Sequence, residues 1–246
     1  IYTYYPDYQP RCWVYTRTGQ THGKLNVVGA RRDSSNYFFF ETGRLLGIEK
    51  MNSYMKQLGL GEPTGIELPE VAGILAGPAY SESVGRIWSP GDTLQAAIGQ
   101  LDNAFTPAQL TAYLSAIVNG GTRYGLHLYL KTAEFYTETV LDEQEASVLS
   151  SVTLSAEHHA LLKDAMREVA ENGSAARIFR GYQVSVGCKT GTAQTGGDGS
   201  DNAVFAAFAP FENPELLAVS IVEHGSSGTN AGFCVRDIFD CYFSEE

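Results

Sequence analysis

Lys189-Thr190-Gly191-Thr192-Ala193-Gln194 follows directly on the apolar alternation around Val184-Ser185-Val186. Such a run reads as a strand with a cation, two hydroxyls and a bare stretch of backbone along it. These are the groups that hold a carboxylate. Two more strand signals follow, at about 202–209 and 216–223, and residues 230–243 read as a closing helix. Ahead of the run the chain is mostly helical. Helices first, then antiparallel strands with helices flanking them, indicates an α+β fold rather than a parallel βαβ one.

Working back toward the start, Ser155 caps a helix running to Glu171, with Leu161, Leu162, Met166 and Val169 on one face and Asn172-Gly173 as its stop. Thr106-Pro107 opens another: threonine at the N-cap, proline at the first helical position, then Leu110, Leu114 and Ile117 at helical spacing. Asn119-Gly120-Gly121 ends it. Between these helices, residues 126–141 alternate as extended hairpin strands. Residues 61–93, rich in Gly and Pro, read as a long structured loop. A short helix is expected over about 48–58. The run from Asn36 to Gly47 is apolar nearly all round, as in a buried central helix. The start of the chain is aromatic and reads as irregular until about Gly23.

At 246 residues the chain can bury a substantial core, and 43% hydrophobic with 18% charged residues fits a folded protein. The net charge of −11 offers no basic stripe, so a nucleic-acid partner is not expected. No apolar run is long enough to span a bilayer. The four cysteines, Cys12, Cys188, Cys234 and Cys241, lack metal-ligand spacing, so no metal site is expected. They read mostly as buried small hydrophobes. Cys188 should alternate onto the face opposite Lys189. No cofactor motif is present.

The order of the pieces carries the functional reading. Ser34-Ser35-Asn36 opens the apolar helix, and Lys189-Thr190-Gly191-Thr192 stands on the first late strand. With these motifs the chain resembles the transpeptidase domain of class B penicillin-binding proteins, which pairs S-x-N and K-T-G with an S-x-x-K nucleophile on an earlier helix. His22-Gly23, Gly59-Leu60-Gly61, Thr64-Gly65-Ile66-Glu67-Leu68-Pro69, Ile98-Gly99-Gln100 and Asn119-Gly120-Gly121 extend the resemblance to about residues 10–240. The His-Gly and Ile-Gly-Gln elements look most like the elongation-type members. The implied fold is penicillin-binding/serine β-lactamase-like, an all-helical lobe plus an antiparallel sheet flanked by helices. We expect residues 1–150 to form the mainly helical lobe and 151–246 the sheet lobe, both parts of one incomplete domain.

The chain departs from the family at the nucleophile. Its only S-x-x-K string is Ser53-Tyr54-Met55-Lys56, which follows the S-x-N motif instead of preceding it and reads as a decoy. Ser200-Asp201-Asn202 also spells the motif but lies where one strand must turn into the next, with Asp-Asn as turn residues. The expectation is that the chain begins mid-protein and that its own N-terminal fragment supplies the nucleophilic serine, with one sheet edge left unpaired.

The resemblance implies that Ser34 relays a proton to the leaving amine, that Asn36 holds the S-x-x-K lysine and the substrate amide, and that Lys189 keeps the site positive. Thr190, Gly191, Thr192 and Gln194 would bind the substrate, the two threonine hydroxyls gripping its terminal carboxylate. The implied activity is peptidoglycan D,D-transpeptidation on D-Ala-D-Ala stem peptides, with β-lactam antibiotics as acylating inhibitors and this chain alone inactive. The implied location is the bacterial cell envelope, outside the cytoplasm and anchored through an N-terminal segment not in this chain. The alternatives are a D,D-carboxypeptidase or serine β-lactamase and, from another class, a non-catalytic β-lactam-binding or cell-wall scaffold module.

Overall fold

In a computed structural model of the chain, the described residues are 1–196 and 199–244. The early helices are α1 (Trp13–Thr18), α2 (Val27–Arg32), α3 (Asn36–Leu46), α4 (Ile48–Gln57), α5 (Pro78–Ser83), α6 (Pro90–Ala97) and α7 (Pro107–Val118). Two small antiparallel ribbons follow, β1 (Thr122–Tyr124) with β4 (Val148–Ser151) and β2 (Lys131–Ala133) with β3 (Val140–Glu143). Then come α8 (Ala156–Glu171), α9 (Ala176–Phe179), the strands β5 (Gly187–Ala193), β6 (Asn202–Ala209) and β7 (Leu216–Val222), and α10 (Gly228–Phe243). The fold is α+β.

The strands β5, β6 and β7 form one antiparallel sheet in that order, with Lys189 opposite Ala206 and Gly191 opposite Val204. Cys188, Phe205 and Ala207 turn to one face, where Val235 and Phe239 of α10 meet them in the main apolar cluster. Phe208 turns to the other face, against Met166 of α8 and Val118 of α7. Each fully buried phenylalanine contributes about 1.5–3 kcal/mol of burial, so the sheet is clamped between helices on both sides. The outer edges of β5 and β7 carry no strand among the described residues.

Several expectations from the sequence need correcting. The start of the chain is irregular through Cys12, as expected, but α1 forms before Gly23, without any side-chain cap, and is closed by Gly19 in the left-handed conformation. The stretch 61–93 is not one loop, since α5 and the start of α6 lie inside it, each begun by proline in its first turn. The apolar α3 buries only Phe40 and Gly43, and Leu45 is 70% exposed. Gly43 is needed because a Cβ there would collide with Ala97 of α6. The α8 face is also shifted: Ala165, Met166, Val169 and Ala170 are buried while Leu161 is exposed. Cys12 and Cys188 are buried, but Cys234 and Cys241 are exposed on α10, and all four are free thiols.

Candidate active site

The turn between α2 and α3 holds Ser34. Its amide donates to the Arg31 carbonyl at 3.3 Å, and the Ser35 amide donates to the Ala30 carbonyl at 2.8 Å. This pair of bonds closes a helix in the Schellman manner, which calls for a left-handed residue, usually glycine, at the position Ser34 occupies. Ser34 has φ 50°. A serine accepts that strain here, and strained backbone of this sort gathers at functional sites. The Trp13 indole N–H reinforces the turn, donating to the carbonyls of Asp33 and Ser34, each at 3.1 Å.

Lys189 comes to the same point from β5. Its Nζ donates to Ser34 Oγ at 2.6 Å and to the Thr190 carbonyl at 2.8 Å. Burial, and then the nearby Arg31 guanidinium, push the ammonium down to about 8 from 10.5. Lys189 is thus still protonated at neutral pH but a better proton donor than a solvated lysine. Its neighbour Cys188 faces the opposite side of the sheet, fully buried, and burial pushes its thiol well up, which makes it inert.

The threonines leave β5 on Cys188's side. Thr190 Oγ1 lies 2.8 Å from the Ser174 hydroxyl, and Thr192 Oγ1 accepts from the Gly228 amide at 3.3 Å. Ser174 is brought in by Gly173, where a Cβ would come within 3.0 Å of the Arg32 carbonyl. At Gly191 an added Cβ would meet Val204 at 3.4 Å, a contact its neighbour could accommodate; at Gly228 it would run into the Gly191 backbone itself. The glycine that closeness demands is therefore Gly228, at the start of α10. Lys189 and the two threonines leave the strand on alternate sides, so a ligand touching both sets must lie along the free edge of β5.

Some sequence-predicted residues stand apart from this cluster. Asn36 begins α3 two residues past Ser34, and its amide makes no hydrogen bond among the described residues; nor does that of Gln194, exposed beyond the end of β5. Ser53 and Lys56 are exposed on α4, with Gln57 donating to the Ser53 hydroxyl at 3.4 Å. Ser200-Asp201-Asn202 enters β6, where Asn202 Oδ1 accepts from the His224 amide at 2.9 Å. Three contributors were given no role in the site from sequence, although Gln100 belongs to the Ile98-Gly99-Gln100 element noted there. Gln100 donates to the Thr192 carbonyl at 3.1 Å, tying the α6 end to β5. It sits between Gly99 and Leu101, both with positive φ, and that Gly-Gln pair was the available signal. Ser174, after a helix stop, and Arg31 carried none.

A family model described as the penicillin binding protein transpeptidase domain matches residues 2–240. The peptidoglycan D,D-transpeptidase MrdA of Salmonella typhimurium is 29% identical over 252 residues, covering 94% of this chain and 40% of that protein. Penicillin-binding protein 2A of Bacillus subtilis is 28% identical, covering 92% and 35%. The chain thus spans about two fifths of the length of the curated relatives it matches. Among solved structures, PBP2 of Pseudomonas aeruginosa in complex with WCK 5153 superposes with TM-score 0.83 at 25% identity, covering 98% of this chain and 54% of that one. PBP2 of Helicobacter pylori, in its complex with MreC, gives 0.79 at 29% identity, covering 95% and 42%.

Proposed function

From the premise that this chain belongs to the penicillin-binding protein transpeptidase domain family, we propose that it forms the substrate-holding part of an elongation-type peptidoglycan D,D-transpeptidase. The observation that carries this reading is the 2.6 Å contact between Lys189 Nζ and Ser34 Oγ. It delivers a protonated cation to a strained serine at the edge of a strand.

A stem peptide ending in D-Ala-D-Ala lies extended along β5, as strand-adding peptides do at open sheet edges. The hydroxyls of Thr190 and Thr192 hold its terminal carboxylate. A serine hydroxyl from a segment outside these 246 residues gives its proton to the lysine of its own S-x-x-K motif and attacks the penultimate carbonyl carbon, and the peptide bond to the last residue breaks. Ser34 passes its proton to the leaving amine and recovers one from the Lys189 ammonium. The backbone N–H of Thr192 donates to the oxyanion, an interaction worth about 2.7–4 kcal/mol in such sites. Asn36 orients the amide of the substrate and the lysine that activates the nucleophile. An acceptor amine then resolves the acyl-serine. A β-lactam takes the same path and stops at the acyl-serine. On this reading the protein works in the bacterial cell envelope outside the cytoplasmic membrane, anchored by a segment beyond these residues; no helix among the described residues is long and apolar enough to cross a bilayer.

Fluorescent penicillin tests the proposal. Covalent labelling should appear when the chain is joined with an S-x-x-K segment, on that segment's serine. Labelling of the 246-residue chain by itself would move the nucleophile back into it. Absence of labelling in both forms would leave the non-catalytic scaffold reading.

A further inference from the structure

Arg31 stands in the last turn of α2, three residues before Ser34. An arginine at a helix end is ordinarily solvated and faces its own carbonyls. Arg31 is half-buried instead, and its Nε is shut off from solvent with no acceptor among the described residues. The carboxylate nearest in sequence, Asp33, is engaged elsewhere: Arg32 holds it through hydrogen bonds of 2.8 and 3.0 Å.

Arg31 also belongs to the chain of contacts that builds the site. Its carbonyl accepts the Ser34 amide, and the Ser34 hydroxyl accepts from Lys189. Two cations therefore stand on the elements that meet at this turn, Arg31 on α2 and Lys189 on β5. Lys189 responds to the neighbouring guanidinium by holding its proton less tightly. Among the described residues neither cation has an ion-pair partner. Partly buried like charges without an anion are costly until one arrives. A planar guanidinium is suited to a carboxylate, which it can take through two parallel hydrogen bonds.

We propose that Arg31 is a second anion-recognition residue of this site, and that the ligand carries, besides the carboxylate held along β5, a second carboxylate bound by the Arg31 guanidinium. The identity of that ligand as a stem peptide rests on the transpeptidase reading; the anion site itself does not.

The Arg31 Nε–H has its own resonance in a 15N-labelled sample, so the site can be watched without any turnover. The probes are succinate, glutarate and adipate, compared with butyrate at constant ionic strength. At least one dicarboxylate should move the Arg31 Nε–H and the Lys189–Thr192 amides together and bind about tenfold more tightly than butyrate, the margin expected of one charged hydrogen-bonded contact. Arg31→Gln should bring that affinity down to the butyrate level, and Arg31→Lys should keep part of the margin. Should Arg31→Gln fail to fold, the wild-type comparison decides. Dicarboxylates binding no better than butyrate, or leaving the Arg31 Nε–H unmoved, would overturn the proposal. Penicillin labelling run in parallel separates the two readings. A dicarboxylate preference without labelling removes the enzymatic role and keeps the anion site; labelling without that preference does the reverse.

Discussion

Lys189 and Ser34 are 155 positions apart in the sequence and 2.6 Å apart in space, ammonium to hydroxyl. One rides on an edge strand and the other on the turn that begins α3. No local interaction brings them together, so the contact depends on the packing of α2 against α8 and of α8 against β5.

The depressed Lys189 ammonium makes stability depend on pH. Its folded pKa of about 8 lies below the ordinary 10.5. Between those values the unfolded chain still binds a proton that the folded chain has released, so stability rises as pH climbs through the window. Below about 8 both states are protonated and the cost of burying the charge is fully felt. Urea midpoints measured from pH 7 to 10.5 should show wild type gaining about 1–3 kcal/mol relative to Lys189→Met. Parallel curves would contradict the burial of this charge.

Ser34 is kept at a glycine position for its hydroxyl. Ser34→Gly relieves the left-handed strain that Ser34→Ala retains, so the glycine variant should be more stable by about 1 kcal/mol. Both should lose penicillin acylation in the full-length protein by about 10²–10⁴-fold, as when a positioned proton donor is removed. Denaturant titration and stopped-flow labelling measure the two effects separately.

Gly228→Ala places a methyl group against the Gly191 backbone and the Val204 carbonyl. Backbone cannot give way as a flexible side chain can, so α10 must lift from β5. A loss of about 2–4 kcal/mol is expected, read as a lower urea midpoint at unchanged slope. A neutral result would mean that the α10 start is looser than its contacts imply.

Gln100→Ala removes one hydrogen bond at an exposed position, so stability should fall by no more than about 0.5–1.5 kcal/mol. Penicillin acylation should fall several-fold more than that loss explains, since the Thr192 carbonyl then has nothing holding it toward α6. Equal small effects on both would assign Gln100 to structure alone.

The site was legible in sequence where short-range chemistry fixes it. Thr106 and Gln109 cap each other reciprocally at 2.9 and 3.1 Å, so α7 begins where the string Thr-Pro-x-Gln says it should. The strands of the sheet were legible from alternation, with β6 found at its observed bounds. What escaped was set by distant partners. α1 has no side-chain cap at its start, and its Trp13 is tied to a turn twenty residues on. Arg31 reads in sequence as one more helix-end cation, and only the structure shows its Nε buried with no acceptor among the described residues. The nearly continuous apolar character of α3 suggested burial all round, yet the described residues cover only one side of it.

Trp13 is 41% exposed, and its indole is hydrogen-bonded to the backbone of Ser34. The chain has one other tryptophan, Trp88, whose indole donates to Thr93. In a Trp88→Phe protein all indole emission would arise beside the strained serine. The colour of that light then becomes a direct optical reading of the Ser34 turn, available before any substrate for the protein is in hand.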